Sequence, residues 1–105
     1  MDFKKYTITI TDIATNELEE IFNYISKNLK NEVATEKLKI KIERLFSWLE
    51  QNPYLATKVH IKPQNEVYRR LVINNYIILY QVKEMEKHVI IHRVLYGRRD
   101  YLNIF

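Results

Sequence analysis

The chain contains no cysteine, which removes disulfides, thiolate nucleophiles and Cys-ligated metals together. A single glycine, Gly97, among 105 residues leaves no Gly-rich loop to cradle a nucleotide phosphate, and no Ser-based nucleophile motif is present. No run approaches the roughly 18 consecutive apolar residues of a membrane helix. Met1 to Tyr6 lacks the apolar stretch of a secretory signal, so a cytoplasmic protein with no membrane contact is expected. The histidines offer no paired metal site: His88 and His92 stand in a predicted strand, where four residues span about 13 Å. No metal or cofactor is therefore expected, and any chemistry falls to Arg, Lys, His, Tyr and carboxylates.

What is present suits one small domain. A hydrophobic fraction of 47% over 105 residues fills one core but not two, since domains usually run to about 100–150 residues. Seventeen Lys and Arg against thirteen Asp and Glu give a formal charge of +4, a bias toward an anionic partner. Asp12, Glu17, Glu19 and Glu20 lie in the first quarter, whereas Arg69, Arg70, Arg93, Arg98 and Arg99, five of the six arginines, lie in the last third. The C-terminal part is thus the better anion-facing surface, although a charge run by itself is as readily a set of solvated strand ends.

From Lys5 to Thr11 the residues Tyr6, Ile8 and Ile10 alternate with threonines, a β-branched, period-two pattern that predicts a strand. The period then changes. Ala14, Leu18, Ile21, Phe22, Ile25 and Leu29 recur at steps of three and four, with Thr11 or Asp12 available as a cap. A second amphipathic helix begins near Glu32, carries Ala34, Leu38, Ile42, Leu45 and Leu49 on one stripe, and stops at Asn52-Pro53. The short link between the two makes an antiparallel helical hairpin. Tyr54 to Glu66 has no clear period and contains Pro63, so it reads as a loop with at most a short edge segment. Val67–Ile73, Tyr76–Val82 and His88–Tyr96 are strands. The expected fold is α+β, in the order β-α-α-β-β-β: an antiparallel sheet of about four strands carrying the helical hairpin on one face.

Asn74-Asn75 specifies a two-residue hairpin turn, because Asn tolerates the left-handed conformation. Parity then sets Ile73 opposite Tyr76, Leu71 opposite Ile78 and Arg69 opposite Tyr80 on the helix side. Tyr68, Arg70 and Val72 fall on the open side with Ile77, Leu79 and Gln81. Arg70 is placed mid-strand there, where its stem can lie over Ile77 or Leu79. The turn after Val82 has neither Gly nor Pro, so the faces of the last strand stay undetermined. Charge favours Arg93 on the open side, with His88, Ile90, His92 and Val94 inward.

These residues resemble the RelE/ParE toxins, and the ParE branch more closely. The resemblance covers about Tyr6 to Tyr101 and rests on Ala14, Leu18, Ile21, Tyr24 and Ile25, and on Leu45, Leu49 and Pro53. It continues in Tyr68-Arg69-Arg70-Leu71 followed by Asn75-Tyr76, and in Arg93-Val94-Leu95-Tyr96-Gly97-Arg98-Arg99-Asp100. Each motif is weak alone; together and in order they are fairly specific. The resemblance implies the fold above, a cognate antitoxin that wraps the toxin, and either DNA gyrase or the ribosome with its mRNA as target. RelE-like members cut mRNA by activating a 2′-hydroxyl against the adjacent phosphate, which needs groups for proton transfer and for phosphate charge. Such nucleases tend to carry an arginine just after the tyrosine that opens the middle strand and often end in a tyrosine. This chain has Ile77 at the first place, and Phe105 at the end with Tyr101 four residues earlier. If it is a nuclease, Arg70, Arg99, His60, His92 and Tyr101 are the catalytic candidates, with the histidines or Tyr101 moving the proton because arginine stays protonated. If it is a gyrase poison of the ParE type, a plasmid-stabilization class of toxin, then Arg70, Arg93, Arg98 and Arg99 are the target-binding residues. In either case Val72, Ile77 and Leu79 are expected to meet the antitoxin. A third reading, a non-toxic small basic module that binds nucleic acid or protein, also accommodates the composition, and the sequence leaves the oligomeric state open.

Overall fold

The computed structural model describes residues 5–61 and 66–97. Strand β1 (Thr7–Ile10) runs into helix α1 (Asp12–Asn23) at a built cap: Thr11 Oγ1 accepts the Ala14 N–H at 3.1 Å. A π-helical turn over Tyr24–Asn28, closed by Leu29 N–H to Tyr24 O at 3.1 Å, ends the first arm of the hairpin. Lys30, at φ 49°, reverses the chain, and Asn31 caps α2 (Glu32–Leu49) by accepting the Ala34 N–H at 3.0 Å. No described helix is long and apolar enough to cross a membrane.

Strands β2 (Thr57–Ile61), β3 (Glu66–Ile73), β4 (Tyr76–Lys83) and β5 (His88–Tyr96) complete a five-stranded sheet in the order β1-β5-β4-β3-β2. The α+β class and the helical hairpin are as expected. Two features of the sheet differ. The strand β1 pairs with β5 in parallel, because the hairpin carries the chain over one face before the meander begins, and a period-two pattern carries no information about direction. The second difference is β2, a five-residue edge strand where a loop or one short edge segment was expected. Its alternation is only three residues long, with Val59 half-buried and Ile61 buried while Lys58 and His60 face out, too short a pattern to stand out from a loop.

The β3–β4 register is the expected one: Ile73 pairs with Tyr76, Leu71 with Ile78 and Arg69 with Tyr80 across a turn in which Asn74 takes φ 52°. The core forms between the hairpin and the sheet. Ala14 and Leu18 from α1, and Leu38, Ile42 and Leu49 from α2, pack on Ile78, Tyr80, Val89, Ile91 and Val94. Each such fully buried aliphatic side chain contributes about 1.5–3 kcal/mol. Tyr80, fully buried, satisfies its hydroxyl by donating to Pro53 O at 2.8 Å, and burial pushes its pKa up to about 12 against the opposing charge of Arg69. Arg69 is itself structural: Nη1 donates to Tyr54 O at 2.9 Å and Ala56 O at 2.8 Å, and the guanidinium lies over the Tyr54 ring at 5.0 Å. These bonds fasten the loop after α2 to the sheet.

A surface staple closes the same end. In the β4–β5 turn, Glu84 accepts from Lys87 Nζ, from Tyr6 Oη at 2.8 Å and from Tyr54 Oη at 2.9 Å, joining three segments distant in sequence. Those donors, Lys87 first, hold the Glu84 carboxyl down from 4.5 to about 2. A carboxyl whose folded pKa is depressed stabilises the fold above its unfolded value, and the contribution is lost as pH falls toward the folded value. Acid titration of the melting temperature should therefore show wild type losing more stability than Glu84→Gln between pH 4.5 and about 2; parallel curves would mean that the staple does not hold in solution.

Candidate functional site

The last strand carries the polar residues that decide what the sheet can do, and a β-bulge sets where they point. In the β4–β5 ladder Leu79 pairs with Arg93 but Tyr80 pairs with Ile91, which leaves His92 as the extra residue and reverses the alternation. Val89 and Ile91 face the helices before the bulge; Val94 faces them after it, and Leu95 turns to the open side. The expectation of an inward His92 is thereby corrected. A strict period of two put His92 in phase with Val94, and the bulge adds the one residue that separates them.

His92 stands on the open side, its ring edge-on to Tyr68 with centroids 5.1 Å apart and its Nε2 2.9 Å from Gln81 Oε1. The Gln81 amide nitrogen donates to Val67 O at 3.3 Å, which fixes the amide orientation and makes Oε1 the acceptor. Burial lowers the His92 pKa, helped by the charge of Lys83 and opposed by Glu66, which favours the uncharged ring.

Arg93 is committed to α1. Its Nη2 lies 2.8 Å from Glu17 Oε2, its Nε donates to both carboxylate oxygens at 3.1 Å, and Glu17 Oε1 also accepts the Val94 N–H at 2.8 Å. The two side chains are only 17% and 18% exposed, little enough for the pair to work in a medium less polar than water. Thr11 binds the same stretch, with its N–H on Ile91 O and its hydroxyl on His92 O, each at 3.0 Å. The helix α1 is thus tied along β5 at two points that bracket the bulge.

The remaining candidates are spread over the molecule. Arg70 sits mid-strand on the open face between Thr57 and Leu79, partly buried, on the same face as His92. His60 pairs with Val67 one position out of phase with Val59 and Tyr68, so it points to the opposite side from Arg70 and is not brought to it. Arg98, Arg99 and Tyr101 lie outside the described residues. Of the three residues expected to meet an antitoxin, Val72 is 60% exposed, but Ile77 and Leu79 are buried in a second cluster with Ile61, Tyr68 and Leu95. Their expected exposure is corrected by β2 and the bulge, which bring Ile61 and Leu95 to that face. Among the described residues no three His, Asp or Glu side chains are grouped to hold a metal ion.

Sequence reasoning passed over Glu17 and an apolar groove. The signal for Glu17 was present: a carboxylate between Ala14 and Leu18 falls on the buried stripe of α1, where an unpaired charge is costly. The groove, about 730 Å³, opens between the helical hairpin and the ends of β4 and β5. Tyr24 and Leu29 line one wall and Tyr96 the other, all more than half exposed, and the Tyr96 ring lies 5.5 Å from Tyr76. Contiguous exposed apolar surface of this kind marks a binding site more often than chance.

The sequence matches the family described as the ParE toxin of the type II toxin-antitoxin system, parDE, over residues 8–101. Among solved structures the fold is similar to a chain of the RelBE2 toxin–antitoxin complex from Mycobacterium tuberculosis, with TM-score 0.62 and 18% identity over 90% of this chain and 94% of that one. It is also similar to a chain of the chromosomal ParDE system of P. aeruginosa (TM-score 0.60, 15% identity, covering 90% and 99%) and to the isolated RelE toxin of E. coli (0.57, 20%, 90% and 87%). A search of the curated proteins finds no match.

The Glu17 contacts make a definite prediction. Glu17→Ala leaves the Arg93 charge and the Val94 N–H without their acceptor in a largely buried position, a loss of about 3 kcal/mol. Glu17→Gln, which keeps acceptor capacity but not charge, should cost less. Chemical denaturation of the three proteins measures this, and a Glu17→Ala protein as stable as wild type would remove the pair from its structural role.

Proposed function

Because the chain belongs to the ParE toxin family of type II toxin–antitoxin systems, we propose that it arrests growth by binding DNA gyrase and that its cognate antitoxin neutralises it by covering its apolar surfaces. The observation that carries this reading is how β5 disposes of its polar side chains. Arg93 is held by Glu17, and His92 is locked to Gln81 and packed on Tyr68. Both serve the fold, and a surface whose charges are engaged internally is suited to recognition rather than to proton transfer. Ile77, at the position where the nuclease pattern has an arginine, lies in the apolar cluster. Arg70 is a cation of the open face, and with Arg98 and Arg99 it supplies the proposed target contact; bidentate guanidinium recognition of carboxylate or phosphate is what arginine does best. The antitoxin is assigned to exposed Val72 and to the groove beside Tyr24 and Tyr96, which together offer the apolar area a partner segment needs.

One feature favours the RelE-like alternative, ribosome-dependent mRNA cleavage. His92 shares a face with Arg70, and burial favours its uncharged form, an arrangement from which a base and a phosphate-binding cation can be drawn. Expression in a translating cell separates the two. The gyrase reading expects DNA-damage signalling and a halt in replication before intact mRNA declines, whereas prompt codon-dependent cuts detected by primer extension would replace it with the nuclease. The residue assignment is tested by an Arg70→Ala, Arg99→Ala double variant. It should stay folded, with a stability change of about 1 kcal/mol, and be harmless; full growth arrest from the folded double variant would place the site elsewhere.

A further inference from the structure

The outward side of α2 carries a pattern that neither the core nor the proposed contacts use. Val33, Lys37, Ile40, Arg44 and Trp48 follow one another at steps of four, three, four and four, so they form one stripe opposite the buried Leu38, Ile42 and Leu49. Val33 is 65% exposed, Ile40 44% and Trp48 38%. Among the described residues Lys37 and Arg44 have no ion pair, although Glu36 and Lys39 on the same helix do pair, at 3.6 Å. Nothing in the fold asks for this composition. A β-branched Val is a poor choice for a solvated helix position, and a tryptophan left one-third exposed gives up burial that a polar residue would not need.

We propose that this stripe is a docking surface for an acidic, apolar-anchored segment of the toxin's target protein. Alternation of exposed apolar and cationic side chains calls for a partner with both properties. A nucleic-acid backbone would meet Lys37 and Arg44 but would leave Val33 and Ile40 against phosphate and sugar. An acidic protein segment satisfies both sets at once, with carboxylates on the two cations and aliphatic or aromatic groups over Val33, Ile40 and Trp48. The stripe runs about 22 Å, the rise of fifteen helical residues. None of its five residues lines the groove assigned to the antitoxin, and its unpaired cations call for an acidic partner, so it is given to the target as a second contact, separate from the one at Arg70. The proposal rests on the reading of the chain as a gyrase-binding toxin.

Trp48 is the only tryptophan, so 5-fluorotryptophan places a single fluorine on this stripe and none elsewhere. Adding unlabelled DNA gyrase should shift or broaden that resonance, and adding unlabelled antitoxin should not. A Lys37→Glu, Arg44→Glu variant, which keeps the probe and changes only exposed residues, should melt as wild type and co-purify with antitoxin. Its affinity for gyrase should fall by roughly thirtyfold, the scale of a hot-spot contact. If a pull-down shows gyrase bound while the resonance stays unmoved, or if the variant binds gyrase as tightly as wild type, the docking surface is wrong and the gyrase reading stands. A resonance that answers to the antitoxin instead overturns the proposal by giving the stripe to the other partner. If gyrase is not captured at all, the target reading itself fails and takes this proposal with it.

Discussion

Glu17 reaches from α1 to the two residues that follow the bulge in β5, and most of what distinguishes this sheet depends on that reach. One of its oxygens accepts the Val94 N–H and both accept from Arg93. With Thr11 holding Ile91 and His92 from the start of the same helix, the stretch 91–94 is pinned from one side. The bulge then decides the rest: Val94 returns to the helix-side core, Leu95 fills the open-side cluster, and His92 is left over Tyr68. A carboxylate that satisfies a guanidinium and a backbone amide together is worth more than either bond separately, because losing it strands two donors.

The reach of the sequence into this structure follows its physics. The β3–β4 hairpin was legible because Asn74 supplies a left-handed turn, and two strands joined by two residues have one parity. Both helices were legible in their spacing, and the first also in Thr11, a polar residue placed where a helix start needs an acceptor; the Asn31 cap of the second came from the structure. The face of His92 was not, because Ile91-His92-Arg93 looks like any other stretch of strand and a bulge needs no Gly or Pro to announce it. The strand β2 was legible only as the alternative to a loop, a short edge segment: with one fully buried side chain, Ile61, it leaves almost no periodic trace. Of the candidate site, Arg70 was placed correctly on the open face. Glu17 was missed because a charge on a buried stripe points to a partner without naming it.

The protein thus divides its charges by purpose. Arg69 and Arg93, both half-buried, are spent on the loop after α2 and on α1, where they stand in for the extra loop-anchoring packing a small chain lacks. Glu84 and Lys87 close the edge where β1 begins. Among the described residues the outward-facing surfaces include a groove with tyrosines on its walls, the open face at Val72 and Arg70, and the mixed stripe of α2. The charges of the scaffold are thus engaged within the fold, through the part-buried Arg93–Glu17 pair and the carbonyls that hold Arg69, while apolar and mixed surface is left exposed.

The claim that the Arg93 ion pair belongs to the scaffold is open to one direct measurement: growth arrest and melting temperature recorded together for Glu17→Met, Arg93→Met and the double variant. If the pair is structural, each single change destabilises by stranding a buried partner. The double change recovers most of the loss, because an apolar pair of similar volume replaces the ion pair, and the refolded protein arrests growth as wild type does. A double variant that melts like wild type yet leaves cells unharmed would show that Arg93 acts on the target, and the account given for the last strand would be wrong.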